Sequence, residues 1–196
     1  MFYAYYLVET KETGIVDSWD KCSSIVNNKN AKFKKFKTEK LAQEWIDSGF
    51  KSDDNKNLIK NAIYFDAGTG RGIGVEVRVT DVNKNSILNK VMPNNLINEW
   101  GNYLVRSDRT NNFGELTGAY LALKYALKYD VKDICGDSKL VIDYWLNLRY
   151  NPENINNDTI DLIHKTNKLY ELFKSNGGRI HKIPGDINPA DLGFHK

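Results

Sequence analysis

The chain is short of cysteine, of long apolar runs and of net charge, and each shortage removes a class of protein. Cys22 and Cys135 are its two cysteines in 196 residues. They lie far apart and form no C-x-x-C pair, which excludes a disulfide framework and a zinc ribbon; both are expected to be buried thiols in a reducing compartment. No apolar stretch approaches the roughly 18 to 20 residues of a membrane span. The opening "MFYAYYLVETKE" has neither a basic n-region nor a long apolar h-region. No membrane partner and a cytoplasmic location are therefore expected. The formal net charge of +3 is too mild to indicate a nucleic-acid partner by itself, although "AKFKKFKTEK" is locally basic. There is no internal repeat and no low-complexity tract.

What is present, 41% hydrophobic and 27% charged residues, describes an ordinary globular chain. Residues 2 to 8, "FYAYYLV", are aromatic and β-branched, and "GIVDSW" follows a polar turn, which together suggest a hairpin. Ser18 is placed to cap a helix carrying Trp19, Cys22 and Ile25 at helical spacing. "AKFKKF" is expected as a short strand although Phe33 and Phe36, three apart, break strict alternation. Thr38 caps a second helix with Leu41, Ala42, Trp45 and Ile46 on one face and Gly49 at its end. The result is a ββαβα unit over residues 1–50, followed by an expected linker over 51–58.

Beyond the linker the pattern restarts. Strands are expected at "AIYFDA", "GIGVEVRV" and "SILNKVM", then a helix at "NNFGELTGAYLALKYALKY". "VKDIC" reads as a strand running into a helix over "GDSKLVIDYWLNL"; another helix, "DTIDLIHKTNKLYELFKSN", ends at Gly177 and Gly178 before the strand "GRIHKI". Strands followed by alternating helix and strand imply an α/β domain with a mixed sheet flanked by helices, over residues 59–196.

Four acids stand where a structural reading alone is strained. Asp66 lies inside an apolar strand, Glu115 near the start of an apolar helix, Asp137 past the strand "DIC", and Asp191 past the loop "PGDINPA". Ligands of open α/β sheets gather beyond the carboxyl ends of strands, where such residues converge. Four converging acids repel one another unless a cation holds them. Hard oxygen ligands suit Mg²⁺, with Mn²⁺ as a substitute, and two such ions about 4 Å apart form a clamp for in-line attack on a phosphodiester. Structural alternatives stand beside this reading: a helix cap for Asp137, a first-turn charge for Glu115 and a helix-start acid for Asp191. Asp66 has the weakest alternative, because aspartate is unfavourable in a strand and costly in a core unless paired or metal-bound.

"IYFDAGTGRGIGVEV", "RTNNFGELTGAYLALKYAL", "ICGDSKLVIDYW" and "IPGDINPADLGF" resemble, in order and separation, the four acidic motifs of type 1 ribonuclease H. The leading segment resembles the small hybrid-binding domain that precedes the catalytic domain in many members, a domain shared with caulimovirus inclusion-body (viroplasmin) proteins. The resemblance implies a ribonuclease H-like fold and a Mg²⁺-dependent endoribonuclease that cuts the RNA strand of RNA–DNA hybrids, leaving 5′-phosphate and 3′-hydroxyl ends. It implies that Asp66 bridges two ions, that Asp191 completes the site of the ion activating water, and that Glu115 and Asp137 hold the ion nearer the leaving oxygen.

The resemblance also implies substrate contacts. The backbone around Gly68 and the side chains of Asn111 and Asn112 are expected to meet 2′-hydroxyls or base edges, the groups that mark a strand as RNA; the alternative for the asparagines is a helix-entry cap. Tyr3 and Trp19 are expected to stack on sugars while Lys34 and Lys35 meet phosphates. The competing readings are a core Trp19 and a charged, solvated edge strand at the lysines. Four departures stand out. Asp186 occupies the loop position where many relatives carry histidine, with His181 and His195 elsewhere; no lysine-rich insertion separates "DYWLNL" from "DTIDLIH", so the basic handle of some bacterial relatives is missing; five residues follow Asp191, where relatives carry a further helix; and the first hairpin, "VETKET", is acidic. The expected partners are RNA–DNA hybrid, with double-stranded RNA as a further candidate, and the expected state is a monomer. A non-catalytic binder of hybrid or double-stranded RNA is the alternative, and an integrase-like nuclease on the same fold fits the motif order less well.

Overall fold

In a computed structural model the described residues are 1–50, 58–105 and 108–194, so the expected linker lies, apart from Leu58, outside them. The chain divides into two compact units, Met1–Asn57 and Leu58–Lys196.

The first unit runs β1 (Phe2–Leu7), β2 (Thr13–Val16), α1 (Trp19–Val26), β3 (Ala31–Phe36) and α2 (Glu39–Asp47), with its antiparallel strands in the order β2-β1-β3. Both helices start where a hydroxyl can accept an orphan amide. Ser18 Oγ accepts from Lys21 N and Thr38 Oγ1 from Leu41 N, each at 3.3 Å. Alternation along β1 divides the core in two. Tyr5 and Leu7 pack on Cys22 and Val26 of α1, while Ala4 packs on Ala42 and Trp45 of α2. The central strand is thus covered on both faces.

The second unit carries a five-stranded sheet of β4 (Ile63–Gly68), β5 (Glu76–Thr80), β6 (Tyr103–Leu104), β7 (Asp133–Gly136) and β8 (Arg179–Lys182), in the order β6-β5-β4-β7-β8. The β4–β5–β6 pairings are antiparallel and β4–β7–β8 parallel. Two long helices, α3 (Asn111–Tyr129) and α4 (Asn157–Ser175), belong to the main core together with Phe65, Val77 and Val79 of the sheet. The opposite face of β4 and β7 presents Tyr64 and Cys135, packed with Ala62 and Ala190. This is the mixed sheet flanked by helices, preceded by a small ββαβα unit, that the sequence implies.

Three expectations about elements are corrected. "SILNKVM" is not a strand: Thr80 forms only a bridge to Ser86, the chain then turns through a 3-10 segment at Leu88–Lys90, and the third strand is Tyr103–Leu104. Ile87, Leu88, Val91 and Met92 repeat at helical rather than alternating intervals, so an extended chain could not bring them to one face. Lys124 Nζ and Lys128 Nζ, from α3, donate to the carbonyls of Val91 and Lys90 at 3.2 and 3.0 Å. The second strand starts at Glu76 rather than at residue 72, because Gly72 and Gly74 have φ of +70° and +127°. The helix expected from residue 136 is a π-helical turn, Leu140–Tyr144, followed by a 3-10 turn, Trp145–Asn147, ended by Leu148 at φ +57°.

Candidate active site

β4 is buried along its length, and its alternation sends Phe65 and Ala67 into the helix-covered core and Asp66 to the other face. Asp66 is 5% exposed. Glu115 comes from the second turn of α3 and is 6% exposed. That helix can approach because Gly114 faces the sheet: a Cβ there would stand 2.8 Å from Ala67 Cβ and closer still to Val75. Asp137 directly follows β7, the parallel neighbour of β4. Asp66, Glu115 and Asp137 each offer one carboxylate oxygen, and the three oxygens lie within 4.8 Å of one another.

Such a cluster is electrostatically unfavourable when empty of cation. Burial first, and the Asp137 charge second, push Asp66 up to about 6. Burial, then Asp66 and Asp137, push Glu115 up to about 9. Leu192 N donates to Asp66 Oδ2 at 3.1 Å and Ala67 N donates to Glu115 Oε1 at 3.4 Å, while the buried Glu115 Oε2 has no hydrogen-bond partner. An orphaned buried carboxylate oxygen beside two further carboxylates is a donor set that fits a hard divalent cation.

Asp191 is not in this group of three. It sits in an irregular segment after a 3-10 turn at Gly185–Ile187, its Oδ1 accepting from Gly193 N at 2.9 Å, and it begins no helix. Its neighbour Leu192 nonetheless bonds to Asp66, so the segment carrying Asp191 passes directly over the cluster. Gly185 lies against Asp137, whose Oδ2 would be 2.5 Å from a Cβ at that position. Asp186 lies in the same 3-10 turn. His181 is engaged in β8, with Nε2 2.7 Å from Asp133 Oδ1, and His195 is outside the described residues.

The cap alternatives are resolved in part. Thr110, not Asn111 or Asn112, caps α3, with Oγ1 accepting from Phe113 N at 3.3 Å. Asn111 Oδ1 is buried without a partner, and Asn112 lines a cavity of about 350 Å³ with Tyr144, Trp145, Arg149 and Tyr150. Glu115 is outside the first turn, so the dipole reading does not account for it. Gly68 is buried beneath Phe194 and Leu192.

In the first unit Trp19 is not core. It is 46% exposed, with its ring 5.7 Å from that of Tyr3 and 5.5 Å from that of Phe33, itself 48% exposed. Lys35 joins them, its Nζ 5.8 Å from the Tyr3 ring centre. Cross-strand register places Lys35 opposite Tyr3 and Lys34 opposite Ala4, so the two lysines project to opposite faces and Lys34 goes to the α2 side.

Two functional candidates escaped the sequence reading. Phe33 was legible as the cause of the broken alternation: Phe36 packs on Trp45 in the core, whereas Phe33, three residues earlier, faces out. Glu76 carried the same signal as Asp66, an acid inside an apolar strand. It is fully buried, receiving Arg71 Nη1 on both oxygens at 2.6 and 2.7 Å and the amides of Asn98 and Asn102 on Oε2 at 3.0 and 2.9 Å. Burial alone would raise its pKa, but the bonds from Asn102, Arg71 and Asn98 outweigh it and hold Glu76 below its ordinary value.

The architecture and site together define an α/β unit with a five-stranded mixed sheet and a carboxylate cluster at the ends of its central strands. Residues 2–46 match the family described as the ribonuclease H1 N-terminal domain. No curated protein sequence matches the chain. Among solved structures it is similar to the crystal structure of RNase H1 from the halophilic archaeon Halobacterium salinarum NRC-1, at 22% identity and a TM-score of 0.39, over 66% of this chain and 89% of that one. No helix among the described residues is long and apolar enough to cross a membrane.

Proposed function

We propose that the protein is an endoribonuclease that hydrolyses the RNA strand of RNA–DNA hybrids at a two-ion centre, leaving 5′-phosphate and 3′-hydroxyl ends, with its first unit gripping the hybrid. The observation that carries this reading is the convergence of Asp66, Glu115 and Asp137, two of them buried, on one point, with Glu115 Oε2 buried and without a hydrogen-bond partner. The match of residues 2–46 to a ribonuclease H1 domain supports the choice of substrate.

Asp66, Glu115 and Asp137 would hold the Mg²⁺ ions, with Mn²⁺ able to substitute: Asp66 would serve both, Glu115 and Asp137 the one on the leaving-oxygen side, and Asp191 would complete the other. Bound there, such ions lower the pKa of water and neutralise charge on the phosphoryl oxygens in the transition state. The chain's own contribution is to keep the carboxylates dry and oriented: Leu192 N restrains Asp66, Ala67 N restrains Glu115, and Gly185 leaves room for Asp137. Asn111 and Asn112, at the start of α3 one turn before Glu115, present amides that can read a 2′-hydroxyl. Tyr3, Trp19 and Phe33 offer stacking surface and Lys35 a phosphate contact, with Lys34 at the sheet edge.

The test is incubation of labelled hybrid, DNA duplex and RNA duplex with the protein, with Mg²⁺ and with chelator. Metal-dependent cleavage of the hybrid's RNA strand alone is expected. Binding of hybrid without cleavage under any metal would select the non-catalytic alternative.

A further inference from the structure

Past Pro184 the chain crosses the sheet face opposite α3 without a strand ladder to hold it, so its path depends on a few anchors. Asn188 Nδ2 donates to Phe65 O at 2.9 Å and Ala190 is buried against Tyr64 and Cys135. Leu192 N donates to Asp66. Beyond these, the Phe194 ring lies on the glycine turn after β4: a Cβ on Gly68 would be 2.6 Å from Phe194 Cδ2, and one on Gly70 closer still to the same ring. Asp191 sits between the lower and upper anchors.

The upper anchor is itself braced. The Arg71 guanidinium carbon lies 5.0 Å from the Phe194 ring centre and 4.2 Å from that of Trp100. Glu76 fixes the guanidinium through Nη1, and Asn98, bonded to the same carboxylate, accepts from Trp100 N and Asn102 N at 3.1 and 2.9 Å. A buried carboxylate thus orients both the cation and the loop bearing Trp100. Stacking of a planar guanidinium on aromatic faces is favourable and directional, which gives Phe194 one preferred seat.

We infer that Arg71 and Phe194 are positioning residues for Asp191, holding the segment that carries it over Asp66 so that the fourth carboxylate can complete the ion site. This rests on the reading of the cluster as a metal centre with Asp191 as a ligand. Neither residue touches the ions; they act by restricting where Asp191 can stand, as outer partners of metal ligands do.

The experiment is Mn²⁺ binding to the full chain without nucleic acid, by calorimetry, for wild type, Phe194→Ala, Phe194→Tyr, Arg71→Lys, Asp191→Asn and the Phe194→Ala/Asp191→Asn double variant. Melting in chelator confirms that each is folded, and Arg71→Lys keeps a cation beside Glu76 so that no buried charge is stranded. Phe194→Ala is expected to weaken Mn²⁺ binding about tenfold, with Arg71→Lys in the same direction and Phe194→Tyr near wild type. In the Asp191→Asn background, Phe194→Ala should cause no further loss. Wild-type affinity in Phe194→Ala, or an equal loss with and without Asp191, overturns the positioning role. Wild-type affinity in Asp191→Asn removes the underlying assignment of Asp191, and the positioning role with it.

Discussion

Glu115 Oε1 accepts a hydrogen bond from the main-chain amide of Ala67 at 3.4 Å, although the two residues are 48 positions apart. The bond ties the helix carboxylate to the strand residue next to Asp66, so α3 and β4 cannot shift relative to one another without opening the cluster. Its consequences are measurable.

Asp66→Asn should abolish cleavage, at least a thousandfold below wild type, while hybrid affinity stays within a fewfold. Removing one charge from three mutually repelling carboxylates should also raise the melting temperature in chelator. Near wild-type cleavage by the purified variant would contradict the site.

The raised pKa values of Asp66 and Glu115 make the metal-free protein pH-sensitive in a stated direction. Both bind protons more tightly folded than unfolded, so between about 4 and the folded values of about 6 and 9 the native state holds more protons. Their contribution to stability is present at low pH and is lost as pH rises through that window. Glu115→Gln should flatten the decline in chelator between pH 6 and 9, as read by melting temperature. Saturating Mg²⁺ should do the same for wild type, since the ion replaces the proton. A slope unchanged in Glu115→Gln would contradict the prediction.

Gly114→Ala places a methyl group 2.8 Å from Ala67 Cβ and closer still to Val75 Cγ1, both held in the core against the sheet. A loss of about 1 to 3 kcal/mol in stability is expected from overpacking. Because α3 must move, Mn²⁺ affinity should fall as well. Denaturant titration and calorimetry on the same sample check both.

In the first unit, Trp19→Ala and Phe33→Ala should each weaken hybrid binding with little change in melting temperature, because both residues are about half exposed and outside the buried core. Loss of a buried aromatic would instead cost about 3 to 5 kcal/mol. Lys35→Ala should lower the magnitude of the salt slope of binding by about 0.9, the value of one phosphate contact. Lys34→Ala, on the other face, should change it less. Equal effects at the two lysines would contradict the register-based division.

Much of this was legible in the sequence because it depends on local order. Ser18 and Thr38 precede their helices as hydroxyls able to cap them, and alternation in "AIYFDA" places Asp66 on the face opposite Phe65. The acids past β7 and within α3 were recognisable by residue type and position. Only the tertiary structure decided which of the four acids share a point, because their separation depends on the pairing of β4 with β7 and on how closely Gly114 lets α3 approach. Likewise the roles of Phe33, Lys34 and Lys35 turned on which face of β3 each occupies, and two of the partners of Glu76, Asn98 and Asn102, come from a loop more than twenty residues away. Propensity and periodicity act over a turn or a strand, whereas a buried charge is accommodated by whatever groups long-range packing brings to it.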